Sequence, residues 1–292
     1  MISLAVTKNF ICSLGLISFN RQLFEFMIVI SYLYNPKKSQ IPAMFSKKGR
    51  KNPKKNQKML YNLLMSKILL IGKDIPEAYD FAKGLLGSEN AVFAAESDSS
   101  TDSDSYSDKI YTSSWNKSSA ISAHSFLIKA ETKLDGIDAV VFYFDADHLS
   151  KKFIDNRSDE ISTAIDTMIS PFLYITDEIL RRAEQKREKL VVGFVIKNQI
   201  EAANTKIVDV SLAAFSRLAE KFAENVIERD YLRVFLAKSL VSSDSFGTEQ
   251  QLGDWTFSAI QSLADSKKQS AKQAASWNKA GAKLGSGFPF FK

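Results

Sequence analysis

A single cysteine, Cys12, stands in 292 residues. One thiol closes no internal disulfide and assembles no cysteine zinc site, a composition that fits a reducing compartment. Histidine occurs twice, at His124 and His148, so imidazole chemistry has two possible seats. Long apolar runs are missing as well. Within residues 1–35 the apolar pieces 10–19 and 23–33 are separated by Asn20-Arg21-Gln22 and broken by Glu25. Neither reaches the roughly 20 residues that a membrane-spanning helix needs, and a single longer span would place Arg21 and Glu25 in lipid at high cost. No small-x-small cleavage site follows before the lysines, as a secretory signal would require. The strings Gly-x-x-x-x-Gly-Lys, His-Glu-x-x-His and Gly-x-Ser-x-Gly do not occur, which removes the phosphate-loop, zinc-protease and serine-hydrolase signatures.

Acidic residues are absent from residues 37–58, which hold nine basic ones. Without that segment and the +1 of the first 36 residues, the overall charge of +6 becomes −4 over residues 59–292. The folding part is mildly acidic, so its charge argues against a groove for nucleic acid. Three readings fit residues 1–64. They are an apolar anchor with a basic linker that meets anionic lipid, an uncleaved membrane segment, or sequence upstream of the true start. Met65 stands two residues before the first strong strand and favours the last reading, with Met44 and Met59 as other starts. The expected organisation is an appendage at 1–64, disordered or absent from the mature protein, a domain at 65–265, and a flexible tail at 266–292. Without the appendage the chain is expected in the cytoplasm; with it, membrane association becomes an option.

What the sequence does contain is a β-α alternation. Lys67-Ile68-Leu69-Leu70-Ile71-Gly72 is a short apolar run ended by glycine and predicts a buried first strand. Asp74 offers an N-cap, with Pro76 and Glu77 in the first turn, for a helix up to residue 86. Ala91-Val92-Phe93-Ala94-Ala95 then closes a β-α-β unit. Residues 97–108 are Ser, Asp and Thr with one Tyr, a solvated loop by composition. Asp98, Asp102, Asp104 and Asp108 raise calcium as the alternative, though the glycine and closing glutamate of a calcium loop are absent.

A helix over 118–134, burying Ile121, Phe126 and Ile128, leads into the strongest strand, 137–144. The spacing predicts a long helix over 159–185 with Ile161, Ile165, Met168, Phe172, Ile175, Ile179 and Leu180 inward, kinked or divided at Pro171. Strands over 189–196 and 231–236 flank a helix over 211–226, and a helix over 250–264 is expected at the sheet edge. The sum is an α/β fold with a doubly wound parallel sheet in a single domain. The tail from 266 onward, with Trp277 and a Phe288-Pro289-Phe290-Phe291 end, is expected to be loosely held.

Over roughly residues 66–265 this order of elements resembles the short-chain dehydrogenase/reductase family. Three phrases carry the likeness: Asp135-Gly136-Ile137-Asp138-Ala139-Val140-Val141, Pro171-Phe172-Leu173-Tyr174-Ile175 and Ser211-Leu212-Ala213-Ala214-Phe215. The resemblance implies a Rossmann-like fold and hydride transfer between NAD or NADP and a carbonyl or alcohol. It also implies a three-glycine first turn, where backbone approaches the cofactor phosphates. Here that turn reads Gly72-Lys73-Asp74-Ile75-Pro76-Glu77, with the first glycine alone. If NAD(P) binding is retained, Gly72, Lys73, Glu96 and Asp145 are the implied contacts, Glu96 holding ribose hydroxyls.

The catalytic positions depart from the family. The Asn-Asn-Ala-Gly stretch becomes Phe142-Tyr143-Phe144-Asp145, the asparagine of the long helix falls near Thr167, and the serine falls near Ile196, Lys197 or Asn198. The proton-transferring Tyr-x-x-x-Lys pair falls on Val208 and Leu212, neither of which carries a proton. Two such strings elsewhere, Tyr34 with Lys38 and Tyr79 with Lys83, sit in the wrong places. No catalytic residue is therefore assigned. The expectation is a pseudoenzyme without cofactor or metal that acts by protein association. The homodimer would form through the helices 159–185 and 211–226, which in the resembled family build a four-helix bundle. Two alternatives remain: an NAD(P)-dependent oxidoreductase with an altered turn, and a different small ligand or metal at Asp145-Ala146-Asp147-His148.

Overall fold

A computed structural model of the chain describes residues 66–87, 90–97, 107–154, 158–198, 204–240, 246–266 and 269–282. The expectations for residues 1–64, for aspartates 98, 102 and 104, and for the Phe-Pro-Phe-Phe end lie outside the described residues. Seven strands form one sheet: β1 (Lys67–Ile75), β2 (Ala91–Glu96), β3 (Ile110–Ser113), β4 (Ala139–Asp145), β5 (Leu190–Asn198), β6 (Leu232–Leu240) and β7 (Trp277–Lys279). Their order is β3-β2-β1-β4-β5-β6-β7, and every neighbouring pair is parallel. Helices cover both faces, so the central strands are apolar on both sides; all seven residues of β4 are buried. The winding reverses between β1 and β4, and such a switch point opens a crevice at the carboxyl ends of the strands.

Alternation along the strands sorts the core. Leu69, Ile71, Phe142, Phe144 and Phe194 face a layer made of α2 (Ala120–Leu134), α4 (Ser158–Met168), α5 (Ser170–Lys186) and α6 (Lys206–Val226). Ile68, Leu70, Val141 and Tyr143 face α1 (Tyr79–Leu86) and α7 (Glu249–Ala264). A short helix, α3 (Ala146–Lys152), follows β4 directly at the strand ends.

The long helix expected over 159–185 is divided. α4 ends at Met168, and Pro171 lies in the first turn of α5, where its missing N–H costs nothing. Four residues expected inside are exposed: Ile121, Ile128, Ile161 and Ile165. The buried stripes run one step around each helix, through Ala123, Phe126, Leu127 and Ala130 on α2 and through Ala164 and Met168 on α4.

β3 was not foreseen, because Ile110 is its sole buried residue and four residues carry little pattern. The expectation of a loose tail from 266 onward is corrected over residues 269–282. α8 (Ala271–Ala275) opens with a capping box at Ser270 and Gln273, and β7 extends the sheet beside β6. Trp277 holds that edge, its indole donating to Glu220 at 3.0 Å under the Lys238 ammonium. Likewise, α7 does not sit at the sheet edge but crosses α1 at two glycines. A Cβ on Gly84 would lie 2.2 Å from the Gln250 carbonyl oxygen, and one on Gly253 would lie 2.3 Å from that of Phe81.

Candidate functional site

β1 determines the shape of the crevice. Gly72 has φ +126°, and a Cβ there would stand 2.0 Å from the carbonyl oxygen of Tyr143. The glycine thus serves the close approach of β1 to β4. After it the chain does not turn. It stays extended to Ile75, which pairs with Glu96 of β2. The donors that would face a phosphate are engaged within the chain: Ala78 N–H donates to the Asp74 carbonyl at 2.8 Å, and Tyr79 N–H to that of Pro76 at 2.9 Å.

Four charges fill the space above the strand ends. Lys73 from β1 donates to Asp145 at 2.7 Å and to both oxygens of Glu249, at 2.8 and 3.0 Å. Lys197 from β5 donates to Glu249 at 2.7 Å and lies 3.5 Å from Asp145. Asp145 and Lys197 are register partners on adjacent strands, whereas Glu249 enters from the first position of α7. The Asp145 side chain is 1% exposed, and its other oxygen accepts from the His148 N–H at 3.0 Å, capping α3.

The electrostatics follow from this packing. Burial by itself would raise the Asp145 carboxyl, yet Lys73 and Lys197 hold it below its ordinary value. Burial would lower Lys197, and Asp145 with Glu249 outweighs it and raises the ammonium. Tyr143 is pushed well above the usual phenol range by burial and by the carboxylates of Asp145, Glu249 and Asp147, so it stays protonated. His148 is lowered by burial and by Lys73, which keeps the imidazole neutral near pH 7.

The structure brings three of the implied contacts, Gly72, Lys73 and Asp145, to one place and leaves Glu96 apart. Glu96 accepts from Thr112 Oγ1 at 3.1 Å, and beside it Lys117 clamps Asp74 at 2.6 Å. The space over Gly72 amounts to about 40 Å³, a few waters rather than a ligand. An engaged helix start, an extended chain in place of the glycine turn and two acids in the crevice do not fit a dinucleotide. Among the described residues no group of three His, Cys, Asp or Glu converges as metal donors, and the oxygens of Asp145 are committed to lysines and to the α3 cap.

The residues aligned with the family's catalytic positions are dispersed. Val208 is fully buried in the core that holds Phe144, Phe172 and Phe215, whose rings lie 4.7 to 6.2 Å apart. Thr167 bonds its own helix through the Thr163 carbonyl. Tyr79 and Lys83 lie on α1, across the sheet from α6. Glu249 and Lys117 gave no sequence signal. Glu249 lies 104 residues beyond Asp145, and the winding of the sheet alone brings it back.

No family model matches the sequence, and no curated protein sequence matches it. Solved structures do. An NADH-dependent reductase responsible for alginate metabolism superposes with TM-score 0.50 at 11% identity, over 72% of this chain and 94% of its own. A short-chain dehydrogenase from Mycobacterium smegmatis gives 0.50 and 11% over 76% and 94%, and ElxO with NADP bound gives 0.51 and 11% over 74% and 97%. The chain has a distant short-chain dehydrogenase/reductase-like Rossmann fold. At this identity the likeness concerns the fold, and the site must be judged from its own residues.

Proposed function

We propose that this chain is a non-catalytic protein on a dehydrogenase-like scaffold, acting as a homodimer through its α4–α6 layer. The observation that carries the reading is where the exposed aliphatic side chains lie. Of the eight large hydrophobic residues exposed among the described residues, six belong to one helix layer: Ile121 and Ile128 on α2, Ile161 and Ile165 on α4, Leu173 on α5 and Val210 on α6. α1 and α7, on the other face, contribute none. Apolar side chains concentrated in this way mark association surfaces.

The occupant that fits is a second copy. α6 carries Arg217, Glu220, Lys221 and Glu224 in alternating sign along the same layer, and such a surface can meet itself across a two-fold axis. The internally neutralised crevice supports the non-catalytic half of the reading.

Light scattering on the full chain is expected to give a dimer mass, and Ile165→Glu with Leu173→Glu is expected to give a monomer of unchanged circular dichroism. A monomeric native chain at micromolar concentration would sink the association reading. NADH and NADPH are expected to leave thermal stability unchanged at millimolar concentration. A true site filled to 100 times its dissociation constant would add about 2.7 kcal/mol, and such a gain would restore the oxidoreductase alternative. Cytoplasmic localisation belongs to the same proposal and holds for the chain without residues 1–64. Among the described residues no helix is long and apolar enough to cross a membrane. Fractionation of cells expressing the chain with and without residues 1–64 tests the assignment, and recovery of the shorter chain with membranes would contradict it.

A further inference from the structure

The crevice is not wholly consumed by its own ion pairs. Beside the network lies a cavity of about 290 Å³, walled by the four network residues together with Asp147, His148 and Lys151 of α3. Its carboxylates are already engaged. Asp145 accepts from the His148 N–H on one oxygen and from lysines on the other, Glu249 accepts from lysines on both, and Asp147 is buried with a partner of its own.

The donors are not used up. An ammonium carries three hydrogens, and Lys197 spends one on a short contact at 2.7 Å with a second group as far as 3.5 Å. The Lys151 ammonium and the His148 ring make no hydrogen bond among the described residues. A cavity lined by charged and polar residues, whose free donors outnumber the acceptor sites left on Asp145 and Glu249, calls for an acceptor-rich guest. Its volume falls just below the range of about 300 to 1,000 Å³ for small-molecule sites, too small for a dinucleotide and suited to a compact metabolite.

We propose that this cavity binds a small oxyanion-bearing metabolite, its phosphate or carboxylate group held by Lys151, Lys197 and His148. The lysines supply point charges, and the imidazole, neutral near pH 7, donates one N–H. None of this uses the exposed aliphatic layer, so the site and the dimer stand or fall separately.

The test is a titration of the full chain at fixed pH and ionic strength with inorganic phosphate and, separately, malonate, following the ring signals of its two histidines by NMR. His124 lies on the outer face of α2, bonded to Glu178 at 2.6 Å, and serves as the internal reference. A saturable movement of the His148 signals alone is expected, with either anion. The anion that saturates at lower concentration identifies the headgroup. Lys151 is exposed, so Lys151→Ala should fold normally and weaken binding by about tenfold, the loss of one charge-assisted hydrogen bond. Lys151→Arg should restore most of it. Absence of a saturable shift at about 100 mM of both anions, where even a millimolar site would be full, overturns the proposal. So does a shift that Lys151→Ala leaves unchanged.

Discussion

Replacing Asp145 with asparagine removes one negative charge at a side chain that is 1% exposed, and keeps the shape. In the native chain the carboxylate neutralises Lys73 at 2.7 Å and helps neutralise Lys197 at 3.5 Å, with 1% of the side chain exposed. Taking one partner from a buried ion pair costs about 3 to 5 kcal/mol, since the other charge is left behind in a poor dielectric. Glu249 still contacts both lysines, which places Asp145→Asn near the lower end, about 3 kcal/mol. Asparagine can still accept from the His148 N–H, so the α3 cap survives; Asp145→Ala loses the cap too, at about 1 kcal/mol more.

Urea denaturation followed by circular dichroism measures both variants, with an unchanged slope confirming that the denatured state is not what moved. The acid limb gives an independent check. Because the native carboxyl is held below its ordinary value of 3.8, its contribution is fully present above that value and fades as pH falls below it toward the native pKa. Asp145→Asn should flatten that part of the profile. A loss under about 1 kcal/mol, the size of an exposed pair, together with an unchanged acid limb would refute the picture of a desolvated network.

Three further outcomes follow from the packing. Gly84→Ala should destabilise by about 1 to 3 kcal/mol in calorimetry, since the added carbon meets the Gln250 carbonyl at 2.2 Å and overpacking outweighs the gain in helix propensity; equal or higher stability would mean that the α1–α7 crossing can widen. Glu178 is opposed by burial, but hydrogen bonds from Arg181, Arg182 and His124 lower it to about 2 from its ordinary 4.5. Its contribution should therefore be lost as pH falls from about 4.5 to about 2, and Glu178→Gln should remove that slope from a thermal melt series. Trp277→Ala should loosen β7, visible as faster amide exchange in residues 277–279 with α1 and β1 unaffected.

The frame was legible because β1, β4 and β5 are apolar on both faces, and such runs alternating with helical patterns fit a parallel sheet flanked by helices. The helix faces were less so. On α2 and α4 four exposed positions carry isoleucine while three buried ones, Ala123, Ala130 and Ala164, carry alanine beside larger side chains, a mixture that hydrophobic periodicity misplaces. The site was legible in half. Gly72, Lys73 and Asp145 were named, with Glu96, as the cofactor contacts that the family resemblance implied, and the fold brings three of the four together, whereas Glu249 was invisible because its role depends on a helix start set by tertiary winding.

The altered first turn and the ion network are two aspects of one change. A dinucleotide site holds its crevice open with glycines and leaves helix donors unspent so that phosphates can supply the negative charge. Here the chain supplies it. Glu249 and Asp145 stand against Lys73 and Lys197 at the strand ends, and β1 continues as a strand, with a bulge between Leu70 and Ile75, through the position of the turn. Restoring glycines alone would not clear a path for a dinucleotide, because Glu249 and Asp145 would still be bridged to Lys73 and Lys197 across the strand ends. Removing Glu249 would leave Asp145 to balance both lysines, at 2.7 Å from Lys73 and 3.5 Å from Lys197. The cavity beside α3, where donors still outnumber acceptors, is the part of that crevice left open to a guest.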